Sequence, residues 1–188
     1  METALLVVAI LTLTGFVVVA IDMATGARFV LFVDHATRPS GEELAVYPRV
    51  SVIVPARNEE QHLATAMRSI LTLDYPDLEV IAIDDRSDDG TGKILDELAA
   101  ANPRLRAVHV TELPQGWIGK NYALYCGAQE AEGELLLFTD ADVYFEPTVL
   151  ARAISCVQEG ELDHLTIAAD VHTRSLLLEM FVVAFMVS

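Results

Sequence analysis

Leu135-Leu136-Leu137-Phe138-Thr139-Asp140-Ala141-Asp142 decides how this chain is read. Four consecutive apolar residues have the length of a buried strand in a parallel sheet. The run ends in two carboxylates two positions apart. Strand side chains alternate with period two, so Asp140 and Asp142 are expected on one side of the strand's exposed end. Two carboxylates held that close repel each other unless a cation lies between them. Hard oxygen ligands of this kind suit Mg2+ or Mn2+, which also draw oxygens from a substrate phosphate. The stretch therefore points to a metal-bridged phosphate site at the carboxyl end of a parallel strand. An exposed turn after a strand also commonly carries Asp, so the pair gains its meaning from the rest of the chain.

The chain is strongly acidic, with 28 Asp and Glu against 12 Lys and Arg, a formal charge of −16. A duplex or an anionic surface is repelled by most of such a surface, which argues against a nucleic-acid partner. A phosphate substrate then needs a positive charge from elsewhere, and the carboxylate pair offers a place for a metal to supply it. Cys126 and Cys156 form no C-x-x-C pattern and read as reduced, inert thiols. At 188 residues the chain is long enough for one sizeable core.

Residues 4–21, ALLVVAILTLTGFVVVAI, contain no charge. That run approaches the roughly 20 residues a helix needs to cross a bilayer core. A cleaved signal peptide fits less well, because no Lys or Arg precedes the run and it exceeds the roughly 7–15 residues of a signal's apolar region. Arg28 and Arg38 follow it closely. The positive-inside rule then predicts a single-pass anchor in the cytoplasmic (inner) membrane, with the remainder facing the cytoplasm. The expected organisation is an anchor over residues 1–33, a linker over 34–49 with Pro39, Gly41 and Pro48, and an α/β domain from residue 50 onward.

Strand and helix signals alternate in that domain. Strands are expected at Val50–Val54, Leu78–Ile83, Arg106–Val110, Leu135–Phe138 and Leu165–Ala168. Asn58 is expected to cap the first helix with Gln61 in a capping box, and Leu63, Met67, Ile70 and Leu71 fall on its apolar face. Further helices are expected around Ile94–Ala99, over Gly119–Ala131, and from Pro147 as a first helical residue. This alternation predicts a mainly parallel sheet with helices on both faces, binding ligands at the carboxyl ends of its strands.

The polar clusters fall at those ends. Pro55-Ala56-Arg57-Asn58-Glu59-Glu60 follows the first strand; Asn58, Glu59 and Glu60 suit a helix start, whereas Pro55 and Arg57 do not need one. Asp84-Asp85-Arg86-Ser87-Asp88-Asp89-Gly90-Thr91 follows the second, and its carboxylates are suited to accept from a base edge or ribose hydroxyls. Gly116-Trp117-Ile118-Gly119-Lys120-Asn121 is not a P-loop, since Pro114 stands where the first Gly is needed and Asn121 replaces Ser or Thr. A helix starting at Gly119 still offers free N–H groups to an anion, and Lys120 a point charge. Trp117 reads as a packing residue.

Taken in order, these motifs resemble the family 2 glycosyltransferases, with the GT-A fold. The match runs through Val52-Ile53-Val54-Pro55-Ala56-Arg57-Asn58-Glu59, Ile83–Thr91, Gly116–Leu124 and Phe138–Asp142. The tryptophan–glycine–lysine segment and the apolar N-terminal run look most like the membrane-bound bacterial branch that glycosylates lipids. The resemblance implies a Rossmann-like GT-A domain that takes a nucleotide-diphosphate sugar, often UDP-linked, and transfers the sugar with inversion to a lipid-type acceptor. It places Pro55, Arg57 and Glu59 in the nucleotide pocket and Asp84 or Asp85 on the base or ribose. Lys120 and Asp140 complete the donor side, and Asp140 and Asp142 form the metal-binding D-x-D. The family's general base lies well downstream of that motif, in a pattern this chain does not show; Asp163 and Asp170 are available, and Asp170 is the better placed. The chain ends inside the apolar run 180–188, which reads as a truncation. The alternatives are a nucleotide-sugar-binding fragment without catalysis, and an acidic membrane-anchored interaction protein.

Overall fold

The computed structural model describes residues 12–18 and 46–167. Residues 12–18 are helical and exposed, and they belong to a separate unit from the α/β unit of residues 36–165. Among the described residues no helix is long and apolar enough to cross a membrane. Most of the run 4–21 lies outside them.

The α/β unit is built from β1 (Val50–Ala56), α1 (Leu63–Leu71), β2 (Leu78–Asp85), α2 (Thr91–Ala101), β3 (Leu105–Val110), α3 (Gly119–Glu130), β4 (Leu135–Phe138) and α4 (Val149–Glu159). The four strands form one parallel sheet in the order β3-β2-β1-β4. The chain runs outward from β1 to β3 and then returns to the far side of β1. The reversal lies between β1 and β4, where open α/β sheets form their ligand crevice.

Alternation along β1 fixes both faces. Val50, Val52, Val54 and Ala56 enter the larger core with Leu63, Met67 and Ile70 of α1, Leu95 of α2, and Leu150 and Ile154 of α4. Ile53 enters the smaller core with Ile81, Ile83, Val110 and Ala123 of α3. Helices thus pack on both faces of the β1–β2 centre of the sheet, while the Leu136 and Phe138 face of β4 stays exposed. At the contact of α3 with the sheet, a Cβ on Gly127 would stand 2.7 Å from Ile83 Cδ1, so glycine sets how closely this helix approaches.

Four expectations need correction. The first helix begins at Leu63, not after Asn58; its cap is His62, with no side-chain cap bond. Asn58 adopts a left-handed φ of 56° and serves a neighbouring loop instead. α4 starts at Val149, and Pro147 lies before its cap, where its carbonyl accepts from Asp74 N at 2.8 Å. Residues 164–167 form no strand, and Ala168 is outside the described residues. β4 has the expected bounds but is not the buried strand its apolar run suggests: it lies at the edge of the four-stranded sheet, and Leu136 and Phe138 stay 44% and 50% exposed.

Candidate functional site

Pro55 shapes the crevice. In a parallel ladder the carbonyl of residue 53 and the amide of residue 55 face the same neighbour. The Ile53 carbonyl accepts from Thr139 N at 3.2 Å. Proline has no amide to give in return, and β1–β4 pairing ends at Ile53↔Phe138. The two chains part there, and the polar segments of both open onto the gap.

On the β4 side, Asp140 and Asp142 are exposed while Ala141 between them is buried. Both carboxylates therefore reach solvent just beyond the end of β4. Lys120, in the first turn of α3, donates to Asp140 Oδ1 at 2.5 Å. Among the described residues no three His, Cys, Asp or Glu side chains cluster tightly enough to hold a metal by themselves. Two exposed carboxylates still fit Mg2+ or Mn2+, which keep several ligands from water and substrate phosphate.

On the other side, Asp84 and Asp85 divide across the sheet. Asp85 is buried and turns toward α3, where Arg86 embraces it through Nε at 2.8 Å and Nη2 at 3.2 Å. That bond lifts the Arg86 guanidinium above its usual range, against the opposing effect of burial. Arg86 reaches back in this way because its own φ is 56°, a left-handed value uncommon for a residue with a side chain. A Cβ on Gly119 would lie 2.7 Å from both Arg86 Nη2 and Asp85 Oδ2. Glycine at the start of α3 is thus what lets the pair reach the helix end. Asp84 turns to the α2 face, where Oδ1 accepts from Ser87 N at 3.1 Å.

The loops after β1 and β2 are tied together. Asp88 N donates to Asn58 Oδ1 at 2.9 Å, and Asn58 N to Ser87 Oγ at 3.0 Å. Glu59 N donates to Thr91 Oγ1 at 2.8 Å, and Gly90 N to Glu60 Oε2 at 2.7 Å. Glu60 N donates to Asp89 Oδ2 at 3.2 Å. Asp89, bonded to Thr91 and to backbone amides, sits below the usual carboxylate range. Arg57 is exposed at the mouth and Glu59 half-buried.

The structure therefore gathers Pro55, Arg57, Glu59, Asp84, Asp85, Lys120, Asp140 and Asp142 at the carboxyl edge of the sheet. Asp163 is exposed in an irregular segment, and Asp170 lies outside the described residues. Trp117 packs as expected, against Tyr122 and Tyr125 at centroid distances of 5.3 and 5.1 Å, and keeps 40% of its surface exposed. Cys126 and Cys156 are free thiols. Sequence reading missed the Asn58 latch, the bond to Thr91 and the contacts of His109 with Asp84 and Asp96 at 3.2 and 3.0 Å. None of these has a local signal, since each depends on which loops and strands become neighbours.

Residues 51–178 match the sequence profile of glycosyl transferase family 2. A 4,4'-diaponeurosporenoate glycosyltransferase of Staphylococcus haemolyticus is 42% identical over 96 residues, which cover 50% of this chain and 24% of that protein. The mannosyltransferase PcManGT of Pyrobaculum calidifontis, solved with GDP-Man and Mn2+, superposes with a TM-score of 0.63 and 30% identity, over 78% of this chain and 42% of its own. TarS of Staphylococcus aureus, solved with UDP, superposes at 0.52 with 26% identity, over 64% of this chain and 38% of its own. The chain thus spans less than half the length of each of these proteins.

Proposed function

The chain belongs to glycosyl transferase family 2, and on that footing we propose that it carries the donor half of a metal-dependent, inverting glycosyltransferase. In this reading it moves a sugar from a nucleotide-diphosphate sugar, UDP-linked, to a lipid-type acceptor at the membrane. The carrying observation is the parting of β1 and β4 at Pro55, with the Asp140/Asp142 pair on one lip and the tied loops of residues 55–60 and 84–91 on the other. A nucleotide laid across that gap meets Arg57 and Asp85 on the β1–β2 side. Its diphosphate faces Asp140, Asp142 and Lys120.

A divalent ion on that carboxylate pair supplies positive charge for the departing diphosphate, which the acidic chain lacks. Asp140 and Asp142 would hold the ion, and Lys120, which donates to Asp140 Oδ1, would keep that carboxylate oriented. The Asp85–Arg86 pair forms a rigid, charged wall for the nucleoside. The acceptor hydroxyl must lose a proton as it attacks, which calls for a carboxylate base; Asp170 is this chain's candidate. The lipid acceptor draws support from the relative that acts on diaponeurosporenoate. Residues 4–21, uncharged and of bilayer length, serve as the anchor that keeps the domain at the cytoplasmic face.

Calorimetry of UDP and GDP binding to the detergent-solubilised chain, with Mg2+ or Mn2+ and then with EDTA, tests the reading. Metal-dependent binding that disappears in Asp142→Asn is expected. The exposed substitution should leave stability within roughly ±0.5 kcal/mol. If neither nucleotide binds under any condition, the donor site as drawn here is wrong. Binding without sugar transfer would leave the nucleotide-sugar-binding fragment as the better description.

A further inference from the structure

Asp84 and His109 are register partners on the neighbouring strands β2 and β3. Their side chains meet on the face covered by α2, where His109 Nδ1 lies 3.2 Å from Asp84 Oδ2. The other ring nitrogen, Nε2, lies 3.0 Å from Asp96 Oδ1 on α2. Space for this arrangement comes from Gly92, one turn before Asp96. A Cβ there would stand 2.6 Å from Asp84 Oδ2 and 3.5 Å from His109 Cε1. Asp84 is thus held at both oxygens, by His109 on one and by Ser87 N on the other. Ser87 in turn receives Asn58 N, which joins the β2 loop to the β1 loop.

We infer that His109 is a positioning residue for the donor site: by spanning Asp84 and Asp96 it fixes the carboxylate that holds the 84–91 loop against the 55–60 loop. The consequence for nucleotide binding rests on the function proposed above; the holding of the loop does not.

Proton chemistry gives this device a direction. Carboxylates only accept, and a neutral imidazole carries one N–H, so it can satisfy one of its two partners. The imidazolium donates to both. Bonds to Asp96 first and to Asp84 second raise the His109 pKa above 6.5, against the opposing effect of burial. The charged groups that face it are Asp84 from β2 and Asp96 from α2. Lys93 of α2 is paired with Glu97, and Arg106 of β3 with Glu130 and Glu79. Because the folded-state pKa is raised, the stabilisation is full below the ordinary imidazole value and is lost as pH rises through the folded one.

The test uses the full chain in detergent, with Asp96→Asn and His109→Ala, from about pH 5.5 to about pH 8.5. Two quantities are followed: hydrogen exchange of residues 84–91, corrected for its intrinsic pH dependence, and the affinity for UDP and GDP. Loop protection in the parent chain should fall as His109 deprotonates. Nucleotide affinity should fall with it by about three- to tenfold, the range one ordinary hydrogen bond covers. Asp96→Asn, at an exposed position, should move that midpoint to lower pH. His109→Ala should abolish it. Protection without a midpoint in the parent chain, or a midpoint that Asp96→Asn leaves in place, overturns the inference. Nucleotide binding whose strength ignores that midpoint overturns it while leaving the donor site standing. Loop protection that follows His109 in a chain that binds neither nucleotide supports the loop-holding role and removes the donor reading instead.

Discussion

Asp84 and Asp85 are neighbours in sequence and lie on opposite faces of the sheet, so each has its own work. Asp84 is committed to its own loop and to His109. Asp85 is buried against Arg86 and the first residue of α3, beside the crevice. Gly119 therefore acts on the site through space alone. In Gly119→Ala the added methyl must displace the guanidinium or the carboxylate. Charge-assisted bonds of this kind are worth roughly 1.5–3 kcal/mol, so nucleotide affinity should drop by about tenfold or more. Titration of UDP and GDP into the variant checks this. An affinity equal to that of the parent chain would mean that the Asp85–Arg86 pair does not touch the nucleotide.

At the scale of elements, the loops after β1 and β2 behave as one piece because their bonds run mostly between them. Thr91 is fully buried and supplies the acceptor for Glu59 N at 2.8 Å. Thr91→Val keeps the shape and removes that acceptor. The half-buried Glu59 amide left without that partner should cost about 1 kcal/mol, the low end of the range for an unsatisfied buried group, which urea unfolding should register. Thr91→Ser retains the hydroxyl and should recover most of the loss. If valine proves as stable as threonine, the latch is not what holds the loops. Asn58 belongs to the same unit: its left-handed backbone and its side-chain carbonyl are both used to meet Asp88 N. Helix-start chemistry in the sequence was misleading here, because the same asparagine that suits a cap also suits a left-handed turn.

At the scale of the whole molecule, the two ends of the sheet carry different charge chemistry. The carboxyl end bears the crevice. The amino end is fastened by Glu79, whose side chain receives Ser51 Oγ and Glu132 N and pairs with Arg49 and Arg106. Burial pushes Glu79 upward, but the bonds from Ser51 and Glu132 and the two guanidinium charges bring it below its ordinary 4.5. A lowered carboxylate stabilises the fold above its unfolded pKa and loses that contribution as pH falls through its folded value. Thermal unfolding of the parent chain should therefore weaken below about pH 4.5. Glu79→Gln should lower stability near neutral pH and flatten that acid dependence. An unchanged acid profile in the variant would show that the fastening lies elsewhere.

Local sequence carries the alternation of strands and helices, the buried character of β1 and β2, and the placing of each polar cluster after a strand; it does not carry the half-exposed state of β4, whose Leu136 and Phe138 face out at the edge of the sheet. The properties it does carry are written in local periodicity and in a few residues, such as Pro55 and the Asp140/Asp142 pair, whose chemistry is legible one position at a time. The strand order, the parting of β1 from β4, the division of Asp84 from Asp85, the Asn58–Asp88 latch and the span of His109 between two carboxylates exist only in the folded chain. The reason is physical. Periodicity records which face of an element is buried, but not which element buries it. A hydrogen bond such as Glu59 to Thr91 joins residues whose separation along the chain carries no information about their distance in space.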